Sequence, residues 1–479
     1  MGVIRIVLWL GYSLLVCAGF LCVGALIGVT LLEFTEATQM AVLAGITALA
    51  GVVLVTGGFR VSARETTAEA ILFLMLFWLV VPLVCATPFV AMGATDGVVA
   101  AIFESTSAIT TTGASRLEPE SLPRTLLFWR SLLQYFGGAS TATFAVVILA
   151  ALNLAGTGVH RSTLFTFQSG HLLERLKAIG GLIAAIYLSL AAFAFLLMVA
   201  SGTPTFDALC LSLSGVGTGG LAPRSGPLAN YLSPFSAVVL AVLCLAGALN
   251  VSVVWDAMRT RQGRMVVRLL TNFEHRGLLS LIAALIVVTV VFASLYNFGP
   301  AILDSVYFMS TAGFRYDVIS LDMVPAPVLI VLALVGGSAL STAGGIKVIR
   351  LLLLFRHLGT DMARLSHPSR VVPIQLRRSR VEDSAFLSIW MYFFGYAVAF
   401  ALGALSLAAS GLDLQDALAV AAASLANIGP LLELTLPASG LRYSDFTTLQ
   451  MIVSTLMMLL GRVEVLLALA LILPSTWRQ

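Results

Sequence analysis

Ten long apolar segments dominate the sequence and constrain its fold more than any other feature. A membrane-spanning α-helix needs roughly 20 apolar residues. The segments that approach or exceed this length are residues 6–32, 40–58, 70–92, 125–152, 181–200, 234–254, 278–296, 326–355, 384–410 and 446–473. The first is too long for the apolar part of a signal peptide, so we expect it to remain as a helix. The pattern predicts a helical chain that crosses a membrane many times.

The composition supports this prediction and excludes several classes of protein. Hydrophobic residues make up 59% of the chain and charged residues 10%, whereas soluble domains carry about 25% charged residues. Disordered chains, disulfide scaffolds and cytosolic enzymes are therefore excluded. The five Cys lie in apolar segments as core residues do, the five His fall in polar connections, and neither set has metal-site spacing. We expect no cofactor, and the lack of a basic tract among aromatic residues predicts no nucleic-acid partner.

Basic residues are distributed unevenly among the connections. One alternate set of loops, together with the termini, holds 18 of the 27 Lys and Arg, and the other set holds five. Cytoplasmic loops of membrane proteins carry the excess of Lys and Arg. The asymmetry predicts that both termini are cytoplasmic.

Four short segments between paired apolar segments share one pattern. They are residues 103–114, 208–221, 303–314 and 417–430. Each is rich in small and hydroxyl residues, and the aligned glycines are Gly113, Gly220, Gly313 and Gly429. Two residues before these glycines stand Thr111, Thr218, Thr311 and Asn427. The acids that recur ahead of the glycines are Glu104 and Asp304, by nine residues, and Asp207 and Asp416, by thirteen.

Segments of this kind predict rings of cation ligands. Non-helical backbone at membrane depth is tolerated only where it is buried in protein or lines a water-filled path. Glycine allows the positive φ that turns carbonyls toward a common axis. Four such segments around a pseudo-fourfold axis would present rings of oxygens that replace the hydration shell of a cation. The glycine tetrads contain no acid, which favours a monovalent over a divalent cation.

Two features inside the apolar segments predict a gate. Residues 336–345 contain two glycine pairs around a run of small residues, which favours an unwound segment below the filter; close helix packing is the alternative. Arg462 lies near the centre of the last segment, and a central arginine normally faces a cavity or a partner. Glu464 is on a different helical face, so a local pair is disfavoured, and an interhelical pair is the alternative. The predicted gating residues are Gly336, Gly337, Gly344, Gly345, Lys347 and Arg462.

Other charged residues have plainer interpretations. We expect Arg130 to be structural, because it lies near the start of an apolar helix. Acids in the outer connections would concentrate cations at the mouth, although scattered solvated acids are the commoner arrangement. These acids are Glu118, Glu120, Asp317, Asp322, Glu433 and Asp445.

The fold class predicted is an all-α polytopic membrane protein. It has an N-terminal helix pair and four repeats of helix, re-entrant pore loop and helix around a pseudo-fourfold pore. The expected boundaries are 1–68 for the helix pair and 69–177, 178–276, 277–383 and 384–479 for the repeats.

These motifs resemble those of the TrkH/KtrB superfamily of potassium transporters, and its TrkH branch in particular. The resemblance covers nearly the whole chain. The motifs that carry it are FESTSAITTTGA at 103–114, LPRTLLFWRSLLQYFGG at 122–138, GTGGL at 217–221, STAGGIKVIR at 341–350, NIGP at 427–430 and MLLGRVEVLLAL at 458–469. The leading helix pair resembles the extra N-terminal domain that separates TrkH from the shorter KtrB.

The resemblance implies a potassium-selective pathway in each protomer of a homodimer in membrane lipid, and a cytosolic nucleotide-binding regulatory partner of the TrkA type. The filter residues that it implies are Thr111, Thr112, Gly113, Thr218, Gly219, Gly220, Thr311, Ala312, Gly313, Asn427, Ile428 and Gly429. Relatives with Ser at the first glycine tend to pass sodium, so Gly113 implies potassium selectivity. The chain departs from the family at Ala312, where Thr is usual, and at Arg315, where a hydroxyl residue is usual.

We therefore expect a protein of the plasma membrane, the bacterial inner membrane, that takes up potassium through a four-repeat selectivity filter. An intramembrane loop and a cytosolic partner would gate it. The alternative is an alternating-access, cation-coupled secondary transporter, for which inverted repeats would be expected. A membrane-embedded enzyme is disfavoured, because the sequence has no paired acids, His cluster or activated nucleophile.

Overall fold

The computed structural model describes residues 2–57, 66–149, 172–259, 265–293, 298–317, 321–366, 375–376, 379–380, 383–435 and 440–463. The first α-helices are α1 (Gly2–Thr30), α2 (Phe34–Gly57), α3 (Thr67–Cys85), α4 (Thr87–Ala91), α5 (Val98–Ile109), α6 (Arg124–Phe144), α7 (Leu172–Ala200), α8 (Thr205–Val216), α9 (Pro234–Ala248) and α10 (Val251–Met258). They are followed by α11 (Met265–Thr271), α12 (Phe273–Ala293), α13 (Phe298–Met309), α14 (Ala326–Val335), α15 (Val348–Ser366), α16 (Asp383–Ala409), α17 (Leu414–Leu425), α18 (Leu431–Thr435) and α19 (Thr448–Val463). Two short strands, β1 (Gln375–Leu376) and β2 (Ser379–Arg380), pair antiparallel.

Local sequence explains where several helices begin. Thr66 accepts from the amide of Glu69, whose carboxylate accepts from the amide of Thr66, so α3 starts with a capping box. Ser233 caps α9 ahead of Pro234, the residue type that favours a first helical position. Asn250 caps α10 through the amide of Ser252.

Six helical segments among the described residues are long and apolar enough to cross a membrane. They are Val3–Thr30, Phe34–Gly57, Ala68–Ala91, Leu172–Ala200, Phe273–Phe292 and Phe386–Ala409. The pair α9 and α10 would be a seventh span if it were straight, but it is bent by 104°. The chain is therefore a multi-helix membrane protein of the predicted class.

The remaining predicted spans differ from continuous helices. Segment 234–254 is not one helix, because extended Leu249 and the cap at Asn250 end α9 and begin α10. Segment 326–355 is interrupted between α14 and α15, where the glycine pairs predicted a break. Segment 125–152 comprises α6 and a π-helical turn at 145–149, and the part of 446–473 beyond Val463 lies outside the described residues.

The four short helices α5, α8, α13 and α17, which we call the pore helices, each have 12 residues. Each packs against the inner helix that follows it in its own repeat, α6, α9, α14 or α19. Each also packs against the inner helix of the preceding repeat: α8 on α6, α13 on α9, α17 on α14, and α5 on α19. The last contact closes the cycle, so the repeats surround one axis.

The expected positions of two histidines and the expected burial of one cysteine are wrong. His275 is buried in α12 rather than placed in a polar connection, and His357 lies in α15, where its ring stacks on Phe386 with centroids 4.5 Å apart. Cys22 is exposed on α1, whereas the other four cysteines are buried and all five are free. The described residues contain no group of three His, Cys, Asp or Glu that could hold a metal ion. Residues His160, His171 and His367 lie outside the described part of the chain.

The close approach of α1 and α2 predicts a stability effect. A Cβ added at Gly51 would lie 2.9 Å from Leu15 Cγ and 3.0 Å from Gly11 O. Overpacking of this kind costs about 1–3 kcal/mol. We expect Gly51→Val to lower the Tm of the detergent-purified protein. Gly45→Val on the same helix is the control, because an added Cβ there meets no atom within 4 Å. An equal fall in both variants would contradict the packing argument.

Candidate ion pathway

The four pore helices end in the same hydrogen-bonded turn. The amide two residues beyond each helix donates to a carbonyl three residues back. The bonds are Thr111 N to Ala108 O at 3.0 Å, Thr218 N to Gly215 O at 3.0 Å, Thr311 N to Phe308 O at 2.9 Å and Asn427 N to Ser424 O at 3.3 Å. In repeats 1, 2 and 4 the next amide donates to the carbonyl five residues back. This is the Schellman motif, whose C′ residue takes the left-handed conformation.

The C′ residues are therefore the Thr and Asn column of the sequence. Their φ angles are 52° at Thr111, 55° at Thr218, 61° at Thr311 and 54° at Asn427. Glycine usually occupies this position and Asn sometimes does, but a β-branched residue there is an outlier. Strain of this kind costs roughly 1–3 kcal/mol per residue and persists where the surroundings enforce it. Three threonines at such positions indicate that the side-chain oxygen has a use that glycine could not supply.

The residues after these turns form one closed ring, the central ring, consisting of 111–113, 218–220, 311–313 and 427–429. The ring is closed because each segment packs directly against the next one. A Cβ atom added at any of the four glycines would collide with the neighbouring segment. At Gly113 it would meet Gly219 O, at Gly220 Ala312 O, at Gly313 the ring of Pro430, and at Gly429 the backbone of Ala114. The segments thus touch in the order 1, 2, 3, 4 and back to 1, and no larger residue fits at any of the four glycines without movement.

The fourth glycine differs from the other three. The φ angles of Gly113, Gly220 and Gly313 are 80°, 77° and 70°, as expected from the sequence. Gly429 does not take the left-handed conformation, so the expectation of four equivalent glycines is wrong in this respect. Its amide donates to Thr112 O at 2.6 Å. Close approach to the first segment, rather than a positive φ, is the reason for glycine there.

Two of the recurring acids, Glu104 and Asp304, support the ring from its outer side. Glu104 accepts from the amide of Arg116 at 2.5 Å, and Asp304 accepts from the amide of Tyr316 at 2.5 Å. Each acid therefore holds the chain that leaves its own ring segment. Asp207 instead pairs with Arg224 at 2.7 Å. Glu104 and Asp304 are scaffold groups, because neighbouring backbone amides use their oxygens.

Gln134 and Tyr443 also support the ring, and sequence analysis did not single them out. Gln134 Nε2 donates to Gly219 O at 2.6 Å, and its Oε1 accepts from Ser214 Oγ. Tyr443 Oη donates to Gly429 O at 2.8 Å. Both are buried, and both fix the direction of a ring carbonyl. The only sequence signal for Gln134 is a polar residue within an apolar helix.

A cavity of about 560 Å³ opens at one face of the central ring. Gly113, Gly220, Gly313 and Pro430 form part of its wall. The charged residues that line it are Arg116, Glu118, Arg130, Arg224, Arg315, Asp322, Glu433 and Arg442. Of the acids predicted at the mouth, Glu118, Asp322 and Glu433 are thus at the cavity, whereas Glu120 is hydrogen-bonded to Ser225 and Asp445 to the amide of Arg442.

Among the described residues, ion pairs with acids involve two of the five arginines that line this cavity, and one of them is Arg224, which pairs with Asp207. Arg315, a departure from the family pattern, pairs with Asp322 at 2.7 Å. Glu433 is exposed to the cavity, and partial desolvation by the cavity wall raises its pKa above the usual value, against the opposing effect of Arg315 and Arg442. Hydrogen bonds from Ser225 lower the pKa of Glu120. The lining holds five arginines and three acids, so the cavity is polar and has a formal excess of positive charge rather than being strongly acidic.

Residues 336–347, which we call the intramembrane loop, close on themselves on the other side of the ring. Gly337 N donates to Gly344 O at 3.3 Å, so the two glycine pairs meet. Gly336 and Gly345 have φ angles of 71° and 78°, and a Cβ on either would strike the other pair. Lys347 N donates to Val335 O at 2.9 Å. The result is a compact loop with adjoining ends, of the Ω type.

This loop and Arg462 occupy the base of the central ring. Thr218 Oγ1 lies 3.0 Å from Thr342 Oγ1, and Gly344 N donates to Thr311 Oγ1 at 3.0 Å. The guanidinium of Arg462 donates to Thr111 Oγ1, to Thr110 O at 2.5 Å and to Thr342 O at 2.5 Å. Asn427 Nδ2 donates to Thr112 Oγ1 at 2.9 Å. All three C′ threonine hydroxyls therefore bond to the loop or to Arg462.

The space beneath the loop is small. Its volume is about 30 Å³, and its wall includes Lys347, Arg350 and Arg462. A cavity of this size has room for one or two water molecules. Arg350 stacks on Tyr392, with its guanidinium carbon 3.9 Å from the ring centroid. The pathway is thus wide on one side of the ring and obstructed by a loop and by positive charge on the other.

Comparisons with known proteins agree with this geometry. A family model described as TrkH, cation transport protein, matches residues 52–308 and 300–476. The Trk system potassium uptake protein TrkH of Salmonella typhimurium is 30% identical over 435 residues, 88% of each chain. That of Escherichia coli K12 is 30% identical over 426 residues, 86% of each chain. The crystal structure of the potassium transporter TrkH from Vibrio parahaemolyticus superposes with a TM-score of 0.87 at 27% identity and covers 100% of both chains.

The contact of Gln134 with the ring predicts a change in cation preference. Gln134→Leu removes the donor to Gly219 O, and a buried hydrogen bond contributes about 1 kcal/mol. We expect the preference of the purified protein for potassium over sodium to fall about fivefold, measured as the stabilisation of Tm by each ion. Gln39→Leu is the control, because its exposed amide also donates to a carbonyl, Ala91 O at 3.1 Å. An unchanged preference in folded Gln134→Leu would show that the hydrogen bond from Gln134 to Gly219 O does not affect ion preference.

Proposed function

The chain belongs to the TrkH family of cation transport proteins, and from this premise we propose that it takes up potassium across the plasma membrane. The observation that carries the proposal is the central ring, in which four equivalent turns bring their C′ oxygens and glycines together below a polar cavity. Dehydrated monovalent cations are bound by rings of carbonyl and side-chain oxygens of this kind. The named relatives are potassium uptake proteins, and their similarity extends over most of this chain.

The central ring acts as the selectivity filter in this proposal. The ligand-bearing residues are Thr111, Thr112, Gly113, Thr218, Gly219, Gly220, Thr311, Ala312, Gly313, Asn427, Ile428 and Gly429. Support comes from the pore helices, whose carboxyl-terminal ends all meet at the ring and contribute partial negative charge there. Ala312 leaves the third segment without the hydroxyl that is usual in the family, but its carbonyl is unaffected.

The intramembrane loop and Arg462 form the gate in this proposal. The gating residues are Gly336, Gly337, Gly344, Gly345, Lys347 and Arg462. Their contacts with the C′ hydroxyls support a closed arrangement, in which positive charge and backbone fill the path. Once the gate opens, the membrane potential suffices to draw cations inward, since 100 mV contributes about 2.3 kcal/mol per charge.

The proposal extends to the setting of the protein. Both termini are cytoplasmic by the distribution of Lys and Arg, and the membrane is the bacterial inner membrane. The units are 1–68 for the helix pair and 69–177, 178–276, 277–383 and 384–479 for the four repeats. The family resemblance supports a homodimer and a cytosolic TrkA-type nucleotide-binding subunit that controls the gate.

Uptake measurements test the filter directly. In a bacterial strain without its own potassium uptake systems, we expect this chain, with its partner, to restore growth at low potassium. Gly113→Ser places a side chain against Gly219 O and strains a residue at φ 80°. We expect this variant to lose at least tenfold of its preference for potassium over sodium, measured with competing ions; a loss of 1.4 kcal/mol suffices.

Gly93→Ser is the matched control for this substitution. Gly93 has a φ of 63°, so the backbone cost is similar, but an added Cβ meets no atom within 4 Å. We expect it to keep the wild-type preference. Failure of the wild type to restore uptake would overturn the proposed function, and an unchanged ion preference in Gly113→Ser would overturn the filter assignment.

Removal of the buried arginine tests the gate. Arg462→Ala deletes the donors to Thr111 Oγ1 and Thr342 O together with a positive charge in the path. We expect potassium flux through purified protein in liposomes to rise severalfold in the absence of the partner. Loss of all flux in well-expressed, folded protein would show instead that Arg462 is structural.

A further inference from the structure

The intramembrane loop is bonded to the break in the second inner helix. Ser338 N donates to Ala248 O at 3.2 Å and Thr342 N to Gly247 O at 3.2 Å, both at the end of α9. On the other side of the break, Val251 N at the start of α10 donates to Leu340 O at 3.1 Å. The loop therefore bridges the hinge at 249–250, where the helix direction changes by 104°.

A buried carboxylate joins the loop to this hinge. Glu274, in the first turn of α12, is 6% exposed. One of its oxygens accepts from the amide of Ala339 in the loop, and the other accepts from Asn250 Nδ2 at 3.0 Å. Asn250 is also the cap of α10, through the amide of Ser252 at 3.1 Å. One carboxylate thus accepts from a donor in the loop and from a donor at the hinge.

We propose that Glu274 is a positioning residue that latches the intramembrane loop in its closed arrangement and couples it to the hinge between α9 and α10. The proposal deepens the proposed function and rests on it for its transport readout. The physical reason is that a buried carboxylate is costly unless donors satisfy it. Hydrogen bonds to a charged group are also about twice as strong as neutral ones. Lys347, the last residue of the loop, and Arg350, three residues beyond it, act electrostatically on the same carboxylate.

Through these hydrogen bonds, a change in the position of α10 would affect the loop. Displacement of α10 moves Asn250 and Val251, and so withdraws a donor from Glu274 and a donor from Leu340 O together. The loop would then keep its bonds to α9, Thr311 and Arg462 but lose the bond at Leu340 O, and Glu274 would keep only its bond to the amide of Ala339. A force applied to α10 would therefore weaken the hold on the loop through Glu274 and Asn250, which have no bond to the central ring in the described residues.

Hydrogen exchange of the intramembrane loop in full-length protein tests the latch independently of transport. We expect Glu274→Gln, which is isosteric but uncharged, to speed amide exchange in peptides covering 336–347 by roughly tenfold. Asn250→Ser should act in the same direction, because serine still caps α10 but cannot reach Glu274. Glu174→Gln is the control, since Glu174 is also an acid in the first turn of a spanning helix, α7, and is exposed.

Flux in liposomes, without the partner, is the second readout. We expect both latch variants to raise basal potassium flux severalfold with an unchanged ratio of potassium to sodium. The effects of the two should be less than additive when combined, because they break the same bond. Wild-type exchange and flux in folded Glu274→Gln and Asn250→Ser would overturn the latch. Faster exchange of the loop in a protein that carries no potassium at all would uphold the latch and reject the proposed function.

Discussion

The left-handed turn at the end of each pore helix is the constraint on which the rest of the pathway depends. It reverses the chain within three residues, so each segment can leave its helix and touch the next segment around the axis. Glycine would make this turn without strain, yet Thr111, Thr218 and Thr311 make it and Asn427 completes the set. Strain of roughly 1–3 kcal/mol at each site must be offset by the packing around the ring. Hydrogen bonds to the ring and to the chain that leaves it contribute to that packing, and they are made by Glu104, Asp304, Gln134 and Tyr443.

The same turns connect the ring to the gate. A C′ side chain projects from the base of the ring, where the hydroxyls of all three threonines meet the intramembrane loop or Arg462. Among the described residues no acid pairs with the buried guanidinium of Arg462, which is satisfied by oxygens of the ring and the loop. A buried charge left without such partners would be costly. The ring therefore supplies acceptors that stabilise Arg462 and the loop in this position, and the loop in turn blocks the base of the ring.

Features that recur in all four repeats can be predicted from the sequence, whereas features that arise from contacts between distant residues cannot. The four glycines and the C′ column were predictable, because each repeat places the same residue types at the same spacing. The break at 336–345 was predictable from its two glycine pairs. The hinge at 249–250 was not, because Asn250 lies in an apolar run that hydropathy treats as continuous. Gln134 acts on Gly219, which is 85 residues away in sequence. The separate geometry of Gly429 arises from its contact with the first segment, which its own repeat does not encode.

Under the proposed assignment, a permeating cation and the closed gate compete for the same oxygens. Thr111 Oγ1 cannot accept from Arg462 and coordinate potassium equally well, since the guanidinium and the ion would approach the same site. A ligand shifts such an equilibrium only by its difference in affinity for the two states. A tenfold tighter binding of potassium to the open ring would contribute about 1.4 kcal/mol toward opening, comparable with one charged hydrogen bond. If the assignment holds, ion binding in the ring and release of the loop form one coupled equilibrium, in which the transported cation replaces the guanidinium of Arg462 at Thr111 Oγ1.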